Sequence, residues 1–173
     1  MKIKIWGARG SVPTPGKDTV HFGGNTSCLE VRTDGGELAI FDAGTGIRAL
    51  GEELARGGGP VTGTLFFTHV HWDHIQGFPF FVPAYLKGSR FELYGERKFL
   101  SSLEEALKGQ MQYPNFPVSL EEMGAEMHFH DLVEFDEVKL GTAVVACIRG
   151  NHPGGVFLYR LKENGASVGY ATD

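Results

Sequence analysis

His69-Val70-His71-Trp72-Asp73-His74 follows directly on an apolar, strand-like run, Thr64-Leu65-Phe66-Phe67-Thr68. Imidazole and carboxylate are ligands of divalent transition metals. Side chains of an extended segment alternate between faces, so His69, His71 and Asp73 point one way. His74 comes next, and a turn there brings it to the same opening. Three histidines and an aspartate this close together behind a strand read as a metal site rather than as ordinary loop polarity. They are too many for one ion. Two neighbouring ions fit better, His69 and His71 on one, Asp73 and His74 on the other. Such a pair can share a water-derived ligand and clamp the oxygens of a phosphoryl or acyl centre. Water on zinc ionises at a pH of roughly 7.

The remainder of the chain supplies a frame. Its 173 residues suit one compact domain with a core that needs no disulfide support. Strands are expected over residues 3–6, 27–32, 37–42, 64–68 and 90–94, and again over 133–140, 143–148, 156–161 and 166–172. Helices are expected over 45–55 and 99–107, with a short helical turn at 120–123. Strands dominate and helices intervene, which favours an α/β class, α+β sandwich architecture over a doubly wound sheet. Net charge is −5, so no general nucleic-acid binding is expected. Cys28 and Cys147 lie in apolar runs and read as buried reduced thiols; the alternatives are a disulfide and a reactive thiol. No signal-like or membrane-spanning stretch is present, so the expected location is cytoplasmic, with no membrane contact.

The histidine run resembles the signature of the metallo-β-lactamase superfamily, and other segments match in order. Phe41-Asp42-Ala43-Gly44 resembles the aspartate-glycine strand end before the histidine motif. Gly150-Asn151-His152-Pro153 resembles the segment giving the first metal its third histidine, and Tyr170-Ala171-Thr172-Asp173 the strand end giving a bridging aspartate. Trp6-Gly7-Ala8-Arg9-Gly10-Ser11 and Gly23-Gly24-Asn25-Thr26-Ser27-Cys28 resemble the branch near tRNase Z and the cyclic-phosphate and cyclic-nucleotide diesterases. The resemblance implies a single domain over 1–173 with an αββα metallo-β-lactamase fold and metals at one edge. It implies His69, His71 and His152 on the first ion, and Asp73, His74 and a bridging Asp173 on the second. Asp42 would orient a ligand or the motif backbone, and Asp73 would also orient or deprotonate the attacking water. His71, where a di-iron branch usually has a carboxylate, implies a hydrolytic site with two divalent ions, zinc or else manganese.

The superfamily takes a further histidine for the second metal from well beyond the bridging aspartate. This sequence stops at Asp173, so the resemblance implies an incomplete second site and a second half without its last strands and helix. The implied function is a metal-dependent hydrolase, foremost a phosphodiesterase using a metal-bound hydroxide on a small phosphodiester or ester. A thioester or lactone hydrolase on the same site, and a non-catalytic metal-centred sensor or regulatory domain, are the alternatives. Arg9, Asn25, Thr26 and Ser27 are candidate substrate contacts. A homodimer through an uncovered sheet edge is a further expectation.

Four more features bear on the site. His128 and His130 form a second His-x-His, read as a wet strand face with a metal pair as the alternative. Gly44-Thr45-Gly46-Ile47-Arg48-Ala49 matches a dinucleotide fingerprint, but no acid follows at the next strand end, so the glycines read as a tight turn beside Asp42. The aromatic segment 110–118 reads as packing against the sandwich, with a substrate wall as the alternative. His21, near Gly23, either faces the site or sits in its loop by chance.

Overall fold

The computed structural model describes residues 1–97 and 102–173. Strands β1 (Lys2–Gly7), β2 (Cys28–Arg32), β3 (Leu38–Phe41), β4 (Thr62–Phe66), β5 (Arg90–Glu96) and β6 (Glu126–Leu132) form one sheet in that spatial order. The pairs β1/β2 and β2/β3 are antiparallel; β3/β4, β4/β5 and β5/β6 are parallel. Parallel neighbours need crossovers. Helix α1 (Gly46–Ala55) joins β3 to β4, and α3 (Leu103–Gln110) lies between β5 and β6. The link from β4 to β5 holds the one-turn α2 (Trp72–Ile75) and two 3-10 turns, Phe78–Phe80 and Val82–Tyr85. A second, antiparallel sheet has the order β10 (Ala166–Tyr170), β9 (Val156–Glu163), β8 (Ala143–Gly150), β7 (Glu137–Leu140).

The pleat sorts the first sheet into two cores. Ile40, Leu65, Phe91 and Leu93 face the helices and meet Ile47, Leu50, Leu103 and Leu107. Their neighbours Ala39, Phe41 and Phe66 face the second sheet and meet Val145, Cys147, Phe157, Tyr159 and Leu161. The outer side of the second sheet carries exposed Arg160 and Lys162. Among the described residues the layers are therefore helix, sheet, sheet, which is the expected sandwich class. Cys28 sits in one core and Cys147 in the other; both are buried and free. Burial pushes both thiols upward in pKa, so neither is a reactive thiolate.

Two sequence expectations need correction. The strand expected over 133–140 is interrupted, and β6 ends before it at Leu132. Phe135 takes φ 73° there, and the Val133 N–H donates to the Asp136 carboxylate at 2.8 Å. That turn carries the chain from the first sheet into the second, so the two halves of the apolar run belong to different sheets. The helix expected over 99–107 runs instead from Leu103 to Gln110. Its start is set by a capping box: the Glu105 N–H donates to Ser102 Oγ at 3.1 Å, and the Ser102 N–H donates to Glu105 Oε2 at 2.7 Å. Residues 99–101 of that expectation lie outside the described residues.

Candidate metal centre

β3 and β4 are parallel neighbours, so their carboxyl ends open on the same side. Asp42 comes directly after β3, at φ 60°, with its N–H bonded to the Phe66 carbonyl at 2.9 Å. Its carboxylate is 1% exposed and surrounded by donors. The Thr68 N–H reaches Oδ1 at 2.8 Å, and Thr68 Oγ1 lies 2.9 Å from Oδ2. His74 Nδ1 is 2.7 Å and the Tyr170 hydroxyl 3.0 Å from Oδ2. Asp42 thus fixes the His74 ring with Nδ1–H turned inward and Nε2 turned away. Nε2 faces Asp173 Oδ2 at 3.0 Å and Asp73 Oδ2 at 3.5 Å.

The remaining histidines meet beside it. His69 Nε2 and His152 Nε2 lie 2.9 and 3.0 Å from His71 Nδ1. His71 is held extended, at ψ 150°, as the residue capping α2. His152 sits just past β8, in a turn closed by Gly155 N–H to the His152 carbonyl at 2.8 Å. Phe157 N–H donates to the Thr68 carbonyl at 2.8 Å and ties that turn to the motif. His69, His71 and His152 each offer a ligand atom within 4.8 Å of the others, and so do His69, His74 and Asp173. Asp73 falls beside the second set rather than inside it; its Oδ2 accepts the Ser11 N–H at 2.7 Å.

Protonation suits the arrangement. Burial, and then the neighbouring charges of His74 and His71, push the His69 pKa down to about 3. A neutral imidazole with a lone pair is what a metal requires. Burial also opposes charge on His74, but the Asp42 hydrogen bond and the carboxylates of Asp42, Asp73 and Asp173 outweigh it and raise its pKa. The side of the cluster holding Asp42, Asp73 and Asp173 is therefore electronegative, and the donor set of imidazoles and carboxylate fits a divalent transition metal.

Backbone contact locks the motif in place. Ala43 N–H donates to the His74 carbonyl at 2.7 Å, and Gly77 N–H to the Ala43 carbonyl at 2.9 Å. A Cβ on Gly44 would lie 2.4 Å from the Asp73 carbonyl oxygen, and one on Gly77 2.1 Å from the Gly44 oxygen. The glycine at 44 is thus needed for the approach of two backbones.

The other candidates scatter. Ser27 is buried and lines a cleft of about 440 Å³ that Asp173 also lines. Asn25 is exposed, and its Oδ1 accepts the Thr45 hydroxyl at 3.2 Å. Thr26 is buried, its hydroxyl accepting the Thr45 N–H at 2.8 Å. Arg9 pairs by a β-bridge with Thr26 and lines a separate cleft with His21, which the rim residues Ala8 and Gly10 share with that of Ser27. His128 and His130 lie on β6, within 2.7 Å of Glu126 and 2.6 Å of Glu92, and fall in neither metal-ligand group. Thr68, Tyr170 and Ser11 bond to the cluster's carboxylates and were not singled out in the sequence, although each stands in a stretch quoted above.

A family model described as a Beta-lactamase superfamily domain matches residues 39–173. Ribonuclease Z of Haloarcula marismortui is 27% identical over 146 residues, covering 83% of this chain and 44% of that protein. Ribonuclease Z of Haloferax volcanii is 26% identical, covering 99% and 54%. The chain spans about half the length of these relatives. Among solved structures, the short form of human tRNase Z superposes with a TM-score of 0.70 at 19% identity, covering all of this chain and 69% of that one. No helix among the described residues is long and apolar enough to cross a membrane. The family model takes in most of β3, the histidine run and both metal-ligand sets, and the chain belongs to the beta-lactamase superfamily.

Proposed function

We propose that this chain carries the metal centre of a hydrolase that cleaves phosphodiester bonds with two divalent ions, zinc foremost. The observation that carries the reading is the convergence of His69, His71 and His152, with His74 and Asp173 directly beside His69. His69, His71 and His152 would hold one ion; His74, Asp73 and Asp173 would hold the other. Such ions supply a water of lowered pKa and positive charge for the developing phosphorane oxygens. The chain's own residues do the positioning. Asp42 holds His74, and the Ser11 N–H holds Asp73 Oδ2, which leaves the other Asp73 oxygen to accept a proton from water. The water oxygen bonds to phosphorus, the ester P–O bond breaks, and the leaving oxygen takes up a proton. The ribonuclease Z relatives favour a phosphodiester over a thioester, and widen the expected substrate from small diesters to RNA. The test is metal analysis with turnover of bis(p-nitrophenyl) phosphate. Metal-dependent turnover is expected, with the His69, His71 and His152 set filled ahead of the second; no bound metal, or turnover intact without it, would overturn the proposal.

Asp42 gives a separate prediction. Asp42→Asn keeps the shape but removes the charge that holds the His74 ring. Metal affinity should fall by roughly 10–100-fold, the usual effect of losing such an outer partner. Competition against a chromophoric chelator reads it; unchanged affinity would remove Asp42 from the centre.

A further inference from the structure

A groove of about 770 Å³ runs along the side of α2, beside the metal-ligand run. Trp72, placed between His71 and Asp73, is 71% exposed on its edge. Opposite stand Phe80 and Phe116, edge to face with centroids 5.6 Å apart. Phe116 is anchored by packing on the helix-side core, so this wall is fixed. Three amides, Gln76, Gln110 and Asn115, share the lining with apolar residues such as Val70 and Ile75. The Gln110 Nε2 donates to the Ile75 carbonyl at 3.0 Å, which sets that amide's orientation. Among the described residues no acidic or basic side chain lines the groove.

From this we infer that the groove is a nucleobase-binding subsite, taking the base next to a phosphate held at the metal cluster. The inference rests on the phosphodiester reading above. A phosphate would find no cation in the groove. A flat, neutral ring with polar edges finds aromatic faces to stack on and amides for its rim. Its size is within the usual range for small-ligand sites. Trp72 is the first residue of α2, directly after His71, so the groove starts where the metal-ligand run enters that helix. Phe80 is 53% exposed and Trp72 more so, so both offer ring surface to a ligand in the groove.

The test compares two esters with one leaving group: thymidine 5'-(p-nitrophenyl phosphate), which has a base, and methyl p-nitrophenyl phosphate, which has none. Trp72→Ala should raise KM for the thymidine ester about tenfold and leave the methyl ester within about twofold, as expected for the loss of one stacked base. Trp72→Phe, which keeps a stacking face, should recover most of the difference. Thymidine alone, titrated calorimetrically into metal-free protein, should bind, and Trp72→Ala should weaken it. Equal KM changes for both esters, or no Trp72-dependent thymidine binding, would overturn the subsite. If wild-type protein turns over neither ester yet binds thymidine through Trp72, the subsite stands and the phosphodiester reading falls. Competition by short oligouridylates assigns the source of the base: displacement that strengthens with length marks an RNA end, and displacement no better than uridine's marks a free nucleotide.

Discussion

His71→Ala should release metal and abolish turnover, with a loss of at least about 100-fold in both, beyond the effect of removing an outer partner. Two ligand nitrogens converge on its ring, His69 Nε2 at 2.9 Å and His152 Nε2 at 3.0 Å, so no other side chain can take its place. The ring itself is exposed, so the fold does not depend on it. Substitutions at such positions usually stay within about 0.5 kcal/mol of wild type. Metal content and turnover should therefore collapse while the metal-free unfolding curve stays where it was. Metal analysis beside urea unfolding separates the two effects. A variant that keeps both ions and full turnover would overturn the assignment of the first ligand set.

Phe66→Ala should act in the opposite way, on the fold first. Phe66 is fully buried between the sheets. Its ring stacks on Phe41 at 5.2 Å and on Tyr94 at 5.3 Å, and meets Tyr159 at 5.5 Å. Truncating a phenylalanine in such a core costs about 3–5 kcal/mol, from lost transfer energy and the cavity left behind. That is a large part of the roughly 5–15 kcal/mol that holds a domain together. Urea unfolding should show a much lower midpoint, whereas Phe22→Ala, at an exposed position, should move it little. A shift under about 1 kcal/mol for Phe66→Ala would mean that the sheets are not held through this cluster.

The histidine run is legible in sequence because its chemistry is local: three imidazoles and a carboxylate within one turn and loop have no better use. His152 and Asp173 are different. Periodicity does not distinguish them from any loop histidine or terminal aspartate, and only the resemblance picks them out. The structure brings both to the cluster. Asp42 was legible as a supporting residue, but its partner was not, since pairing with His74 and Tyr170 depends on register between β3, α2 and β10. Thr68 and Ser11 act through backbone and hydroxyl groups with no compositional signal. The break at 133–136 was legible in part. The apolar phase slips there, from Val133 and Phe135 to Val138 and Leu140 across the polar pair Asp136-Glu137, and the contact between Asp136 and the Val133 N–H marks where one sheet hands the chain to the other. Gly44 was read as a turn glycine, and what requires it is the Asp73 carbonyl, a neighbour that the sequence does not name.

The two histidines that meet at 3.0 Å, His71 and His152, are 81 residues apart and follow strands of different sheets, β4 and β8. The cluster consequently does not exist until the sheets have docked. Closing so long a loop makes it a late event in folding. Any ion taken up there binds only the assembled state, and by mass action it pulls the population toward that state. An ion held there would act as a clasp: withdrawing it should let the sandwich open along the seam between its sheets, before the helices leave their own side of the first one.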